Sequence, residues 1–600
     1  MNKRNFMFLA LLGAMVLNGH GEVRAQDASR WHNVDVNQQN RAPRRAAFFA
    51  FENQDKAQAF EKKNSANYLS MEGTWKFNFV KDYNKRPVNF FAANFDDSQW
   101  KDFPVPGLFE LNGYGDATYK NTGYAWATQF DPNPPYISEL NNYTGSYRRT
   151  FELPKDWKGK DVYFHVGSAT SNLTLWVNGK YVGYSEDSKV AAEFNISKYL
   201  KPGKNLIAMQ VMRWCDGSYF EDQDFWRFTG IAREVYLYAR PKLHAADIRL
   251  DAGLMNNYRD GILNYQIALK GGKTDVTVAL CDKDGKKIAE ASGVQGTIKV
   301  PGVKAWTAET PYLYKAVSKI YVDGKQTDEY TTRFGIRSIE IIADKGFFLN
   351  GKHRKFQGVC NHHDLGPLGA AVNVAALRRQ LTLLKDMGCD AVRTSHNMPT
   401  PELVELCDEM GFMMMLEPFD EWDIAKCENG YHRYFNEWAE KDMVNMLHHY
   451  RNNPCVVMWS IGNEVPTQCS PEGYKVASFL QDICHREDPT RPVTCGMDQV
   501  TCVLANGFAA MIDVPGLNYR AHRYVESYET LPQNIVLGSE TASTVSSRGV
   551  YKFPVQKGAS VMYDDHQCSG YDVECCSWSN LPDEDFALSD DYDWTIGQFV

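Results

Sequence analysis

Two glutamates in the second half of the chain each close an apolar run. Asn463-Glu464 ends Val-Val-Met-Trp-Ser-Ile-Gly, and Glu540 ends Ile-Val-Leu-Gly-Ser. Buried strands that deliver two carboxyls to one rim supply what retaining hydrolysis of a glycosidic bond needs. One carboxyl stays protonated near neutral pH and protonates the leaving oxygen, while the other stays ionised and attacks the anomeric carbon. Either Glu alone would read as a solvated or ion-paired loop carboxylate; the pair shifts the balance toward chemistry. Other polar residues end similar runs: His362 and His363, Arg393 and His396, Glu417 with Asp420, Glu421 and Asp423, and Tyr519.

The elements that would position these groups follow a strand, helix, strand rhythm that begins after Phe334-Gly335-Ile336-Arg337. Eight apolar runs, starting at Phe356, Ala391, Phe412, Val456, Val493, Ile512, Ile535 and Thr595, predict a (β/α)8 TIM barrel over 337–600, whose catalytic groups sit at the C-terminal strand ends. The helix predicted over 374–387 repeats Leu377, Leu381, Leu384 and Met387 toward the sheet. The last run reaches Val600, so the barrel is expected to be cut short, with an open edge and exposed core.

Before the barrel the pattern is all-β. Short alternating runs within 26–241, with the hairpin signal Asn178-Gly179, predict a jelly-roll β-sandwich. Residues 242–336 have the length and strand density of an immunoglobulin-like sandwich. Residues 1–25 read as a signal peptide: a basic start at Lys3 and Arg4, an apolar stretch from Phe6 to Leu17, and a small-x-small site at Val23, Arg24 and Ala25. A secreted or periplasmic protein is expected, without a membrane span. The net charge of -9 lacks the basic field of a nucleic-acid binder. The 14 Cys are scattered and read mostly as buried thiols; Cys575 or Cys576 could bridge to Cys568 or Cys502.

These stretches resemble glycoside hydrolase family 2, and the resemblance covers almost everything after residue 25. It is most specific at Phe334 to Glu340, at Asp390 to His396 and at Asn452 to Glu464. It implies that Glu464 is the acid/base and Glu540 the nucleophile. It further implies that Asn463 bonds the sugar 2-hydroxyl, that Arg393 and Tyr519 hold the nucleophile, and that His362 and His396 line the sugar pocket. Arg213 to Tyr219 with Glu221 to Trp226, and Asn133-Pro134-Pro135-Tyr136, resemble the β-galactosidase branch. There Asp216 would reach the galactose 6-hydroxyl region and Asn133 would contact sugar. Their structural alternative is a loop-packing role. Where that branch binds magnesium through Glu-x-His, this chain has Glu421-Trp422-Asp423; no metal or other cofactor is expected, although Glu and Asp suit a hard cation. The expected substrate is a terminal β-D-galactoside of an oligosaccharide or polysaccharide side chain. A β-glucuronidase or β-galacturonidase would need cationic or amide groups at the uronate, which the acidic Asp216 disfavours. An inactive carbohydrate-binding protein would have no need of both glutamates.

Overall fold

A computed structural model of the chain describes residues 30–600 except 52–55, 57–60, 127, 222, 545, 559, 560 and 562. The leader expected over 1–25 lies outside the described residues. Eight parallel strands close into a barrel in chain order: β1 (Phe356–Asn361), β2 (Ala391–Thr394), β3 (Met413–Leu416), β4 (Val456–Asn463), β5 (Val493–Met497), β6 (Val514–Asn518), β7 (Val536–Glu540) and β8 (Thr595–Phe599). Every residue of β2 to β5 is buried. Helices cover the outside and side chains fill the inside, so these strands read as continuous apolar runs.

The open edge expected at the end of the chain is not there. β8 pairs with β1 through Phe356↔Gly597 and with β7 through Val536↔Thr595. Gly597 permits that closure: its φ is +103°, and a Cβ there would meet the Phe356 backbone nitrogen at 2.2 Å. The helix between β1 and β2, α1 (Val374–Asp386), starts on an Asn373 cap whose Oδ1 accepts from the Ala376 amide at 3.0 Å. Leu377 and Leu381 are buried, but Met387 lies just past the helix and is 69 % exposed. The stripe expected to include it ends one turn earlier.

The N-terminal domain is two antiparallel sheets of seven and four strands, with Trp75, Phe77, Phe164, Leu175, Ile207 and Leu237 between them. Asn178 and Gly179 have φ of 50° and 81° and turn Asn172–Val177 into Lys180–Glu186, as the hairpin signal predicts. The second domain packs a three-stranded sheet on a five-stranded one. Ala50–Phe51, from the start of the described chain, joins the latter by pairing with Lys325–Phe334.

Phe334 to Arg337 performs docking rather than chemistry. Arg337 donates from Nε to the Pro454 carbonyl and from Nη2 to the Val456 carbonyl, both at 2.6 Å. A Cβ on Gly335 would meet Pro454 and Trp306 side chains at 2.7 and 2.8 Å. The second domain thereby grips the start of β4, the strand that leads into Glu464.

Candidate active site

Arg393, near the end of β2, has no solvent exposure and uses its whole guanidinium. Nη2 donates to Glu417 Oε1 and Oε2 at 3.0 and 2.9 Å and to Asn463 Oδ1 at 2.8 Å, and Nη1 donates to Glu540 Oε2 at 2.9 Å. Glu417, just past β3, is equally buried and also accepts from Ser460 and, at 2.6 Å, from His396 Nδ1. A planar fork with five donors suits this position, where a Lys would leave acceptors unmatched. One ion pair across the barrel thus fixes groups from β2, β3, β4 and β7.

Two breaks in strand alternation crowd the mouth. Successive side chains of a strand point to opposite faces, so Asn463 and Glu464, or Asn518 and Tyr519, ought to diverge. Glu464 and Tyr519 instead have left-handed backbones, φ 44° and 54°. Such a backbone is uncommon for residues other than glycine and concentrates at functional sites. Backbone bonds hold both turns: the Glu464 amide donates to the Gly496 carbonyl and the Tyr519 amide to the Glu540 carbonyl, each at 2.7 Å. Both members of each pair therefore face the site.

Asn518 is the meeting point. Its Nδ2 lies 2.9 Å from Asn463 Oδ1, 3.0 Å from Glu464 Oε1 and 3.5 Å from Glu540 Oε2. Its Oδ1 accepts from Ser539 at 2.6 Å. Tyr519 donates its hydroxyl to Glu540 Oε1. Asn463 completes its amide by donating to Asp420 Oδ1 at 2.9 Å, and Asp420 also binds Lys426 at 2.6 Å.

The environment drives the two glutamates apart. Burial, and then the charges of Glu540 and Asp498, push Glu464 up to about 7. Burial opposes ionisation of Glu540 too, yet His396, Arg393 and the Tyr519 hydroxyl hold it below the usual carboxylate range. Burial and Arg393 push His396 itself down to about 3, so its ring is neutral near pH 7 and the formal charge that holds Glu540 is that of Arg393.

Comparison with known proteins identifies the architecture that carries this geometry. Residues 68–241, 235–337 and 340–570 match, in turn, the sugar binding domain, the central domain and the TIM barrel domain of glycosyl hydrolases family 2. The chain belongs to this family. A β-galactosidase of Bacteroides ovatus is 31 % identical over 84 % of this chain and 64 % of its own length, and one of Priestia megaterium is 32 % identical over 74 % and 46 %. The chain thus spans about half to two thirds of the length of these relatives. Among solved structures, a β-glycosidase of Bacteroides vulgatus superposes with a TM-score of 0.73 at 26 % identity, covering 89 % of this chain and 70 % of that one. A β-glucuronidase of Bacteroides uniformis, at 21 % identity and a TM-score of 0.71 over 89 % and 64 %, shares the fold.

Within this family 2 barrel the structure gathers Glu464, Glu540, Asn463, Arg393, His396 and Tyr519 at one mouth, with the His362 ring 5.1 Å from that of His396. His362 also reaches toward the N-terminal domain, its Nδ1 3.3 Å from the Asp224 carbonyl. Asn133 is exposed, on a loop whose amide donates to the Tyr219 hydroxyl at 2.9 Å; Asn429 of the barrel donates to the adjoining Pro132 carbonyl at 3.3 Å. Asp216 is wholly buried beside Glu186 and Cys215. Burial pushes it up to about 7, and burial with the Asp216 charge raises Glu186.

Sequence reading missed Asn518 and Lys426. Asn518 ends β6 one residue before Tyr519, and only the turned backbone reveals that both face inward. Lys426 had no signal, since it follows β3 in an irregular segment. Two groups among the described residues bring three metal-ligand atoms within 4.8 Å of one another: His362, His396 and Glu540, and Glu186, Cys215 and Asp216. Arg393 beside the first disfavours a cation there. Glu421 and Asp423 have separate duties. Glu421 accepts from the Cys427 and His432 amides, both at 2.8 Å, and Asp423 accepts from Thr467 at 2.6 Å. The bridges that Cys575 or Cys576 could have made do not form: Cys502 is bridged to Cys469, and Cys568, Cys575 and Cys576 carry no disulfide.

Proposed function

We propose that this chain carries a retaining exo-β-glycosidase site that removes terminal non-reducing β-D-galactose, with Glu464 as acid/base and Glu540 as nucleophile. The observation that carries the reading is the meeting of two carboxyls at the Asn518 amide, with Arg393 and the Tyr519 hydroxyl bonded, of the two, to Glu540 alone. A protonated Glu464 donates to the leaving oxygen while Glu540 attacks the anomeric carbon; Glu464 then takes a proton from water that releases the sugar. Nδ2 sits 3.0 and 3.5 Å from the two carboxyls, which keeps them at the short end of glycosidase separations and favours direct attack. On this reading Asn463, held by Arg393 and Asp420, bonds the sugar 2-hydroxyl.

Galactose is supported by the names of the matched relatives and by the Arg213 to Tyr219 motif. A uronate would need an available cation at C6, and Lys426 and Arg393 at this mouth are already engaged, the first by Asp420 and the second by Glu417 and Glu540. Export belongs to the same proposal: residues 1–25 have a leader pattern, and the Cys469–Cys502 disulfide suits an oxidising compartment. A panel of nitrophenyl glycosides tests the substrate. Turnover of the β-galactoside well above the β-glucuronide, β-glucoside and α-galactoside is expected. Preference for the glucuronide would overturn the galactose assignment, and inactivity on every member would overturn the enzyme reading for this chain.

A further inference from the structure

Two loops beside the acid/base are joined more firmly than catalytic geometry requires. Glu464 leads into a short 3-10 turn, Pro466–Cys469, and β5 leads through Asp498 into the helical turn Val500–Ala505. A disulfide links Cys469 in the first loop to Cys502 in the second, across 33 residues of sequence. Beside it, Gln468 is 1 % exposed and bonds across the gap at both ends of its amide. Nε2 donates to Asp498 Oδ1 at 2.8 Å, and Oε1 accepts from the Gln499 amide at 3.1 Å. Asn506 closes the other side by donating to the Gln468 and Ser470 carbonyls at 2.8 and 2.9 Å.

We propose that Asp498 is a positioning residue for the acid/base Glu464, and that the Cys469–Cys502 disulfide with Gln468 holds it in place. The inference rests on Glu464 being the acid/base. The Glu464 amide donates to the Gly496 carbonyl at 2.7 Å, two residues before Asp498, so the two loops run side by side; Asp498 touches no reacting atom and acts through its charge. It is half-buried, so solvent screens that charge only in part. Gln468 occupies one carboxylate oxygen and Gln499 the other, which fixes where the charge lies.

The charged and titratable groups that face Glu464 come from four elements: Glu540 from β7, Asp498 after β5, Lys426 after β3, and Tyr519 after β6. Lys426 favours the ionised form and Glu540 the protonated form. Glu540 becomes neutral once it is bonded to the sugar, so its influence disappears within the cycle. The charge of Asp498 persists through both steps. A carboxylate fixed at that point keeps Glu464 protonated for departure of the leaving group and then strengthens it as a base toward water. Loops joined only by their strands would let it wander; the cross-link removes that freedom.

The test is the pH profile of kcat/KM on a phenyl β-galactoside, whose poor leaving group needs the acid. Removing a like charge lowers the Glu464 pKa, so in Asp498→Asn the alkaline limb should move down by about 1 pH unit, and Asp498→Glu should restore most of it. The Cys469→Ser/Cys502→Ser pair should move the limb the same way, and adding Asp498→Asn should move it no further. Should the double serine variant fold poorly, Gln468→Ala removes the same support without touching the cross-link. A purely structural role predicts a lower Tm with the limb in place. That result in Asp498→Asn, or a non-reducing peptide map without the Cys469–Cys502 link, would overturn the proposal. Undiminished activity of Glu464→Gln on the same substrate would instead overturn the acid/base assignment itself.

Discussion

Arg393 Nη1 lies 2.9 Å from Glu540 Oε2, and the guanidinium has no solvent exposure. A buried cation needs compensation on every side, and Arg393 receives it from Glu417 and Glu540 together. The pair therefore links the stability of the barrel to the ionisation of one of the two glutamates. Replacing Arg393 by Met leaves buried Glu417 without its counter-ion and should cost about 3–5 kcal/mol of stability. Turnover should fall by at least about tenfold, through loss of a charged hydrogen bond to Glu540. Chemical denaturation and kcat/KM measured side by side check this; an active variant of unchanged stability would refute it.

Asn518 is the residue that the two carboxyls share. Its amide meets Glu464 and Glu540 and neutralises neither, so it sets their orientation without altering the charge balance. Asn518→Ala should lower kcat by roughly ten- to a hundredfold, the expected result of losing hydrogen bonds to charged groups. Asn518→Asp should be worse, because it introduces a third carboxyl of the wrong charge between the two. Equal kinetics for the two variants would show that the contact is incidental.

The two glutamates should respond differently to an external nucleophile. If the proposed roles hold, activated aryl glycosides should still glycosylate Glu540 in Glu464→Ala, and azide should then attack the sugar from the open face to give the β-glycosyl azide. In Glu540→Gly, azide enters directly from the opposite face and gives the α-glycosyl azide. Identification of the products by NMR decides it. The same anomer from both variants would mean that the residues are swapped or the mechanism is not retaining.

Asp216 combines two expectations that can be separated. Its folded pKa of about 7 lies above the ordinary aspartate value, so the folded state holds the proton more tightly than the unfolded one. Stability on this account is full below about pH 4, falls as pH rises, and the loss is complete above about pH 7. Asp216→Asn should therefore match the parent protein near pH 4 and exceed it by up to roughly 4 kcal/mol at pH 8. Parallel stability curves would remove the buried-acid account. If Asp216 also meets the sugar, as its motif implies, catalytic efficiency on a β-galactoside falls about ten- to a hundredfold in the same variant.

Strand ends were legible in the sequence because strand formation is local: apolar β-formers bounded by turn residues mark the run, and the residue that ends it is placed at the rim. That is why Glu464, Glu540, Arg393 and His396 were found, and why the expected starts of β4 and β5 agree to the residue. The closure of the barrel was not legible. It depends on how β8 meets β1 at Gly597, a contact between segments far apart in the chain. Asn518 was passed over because strand alternation predicts that it and Tyr519 face opposite ways. The left-handed turn at Tyr519, held by a bond to the Glu540 backbone, reverses that expectation. The Cys469–Cys502 pairing and the burial of Asp216 against Glu186 likewise join residues from separate loops. The sequence determined which groups reach the mouth of the barrel. Tertiary structure decided which of them touch, and therefore which carboxyl keeps its proton, because pKa depends on burial and neighbours that no single strand encodes.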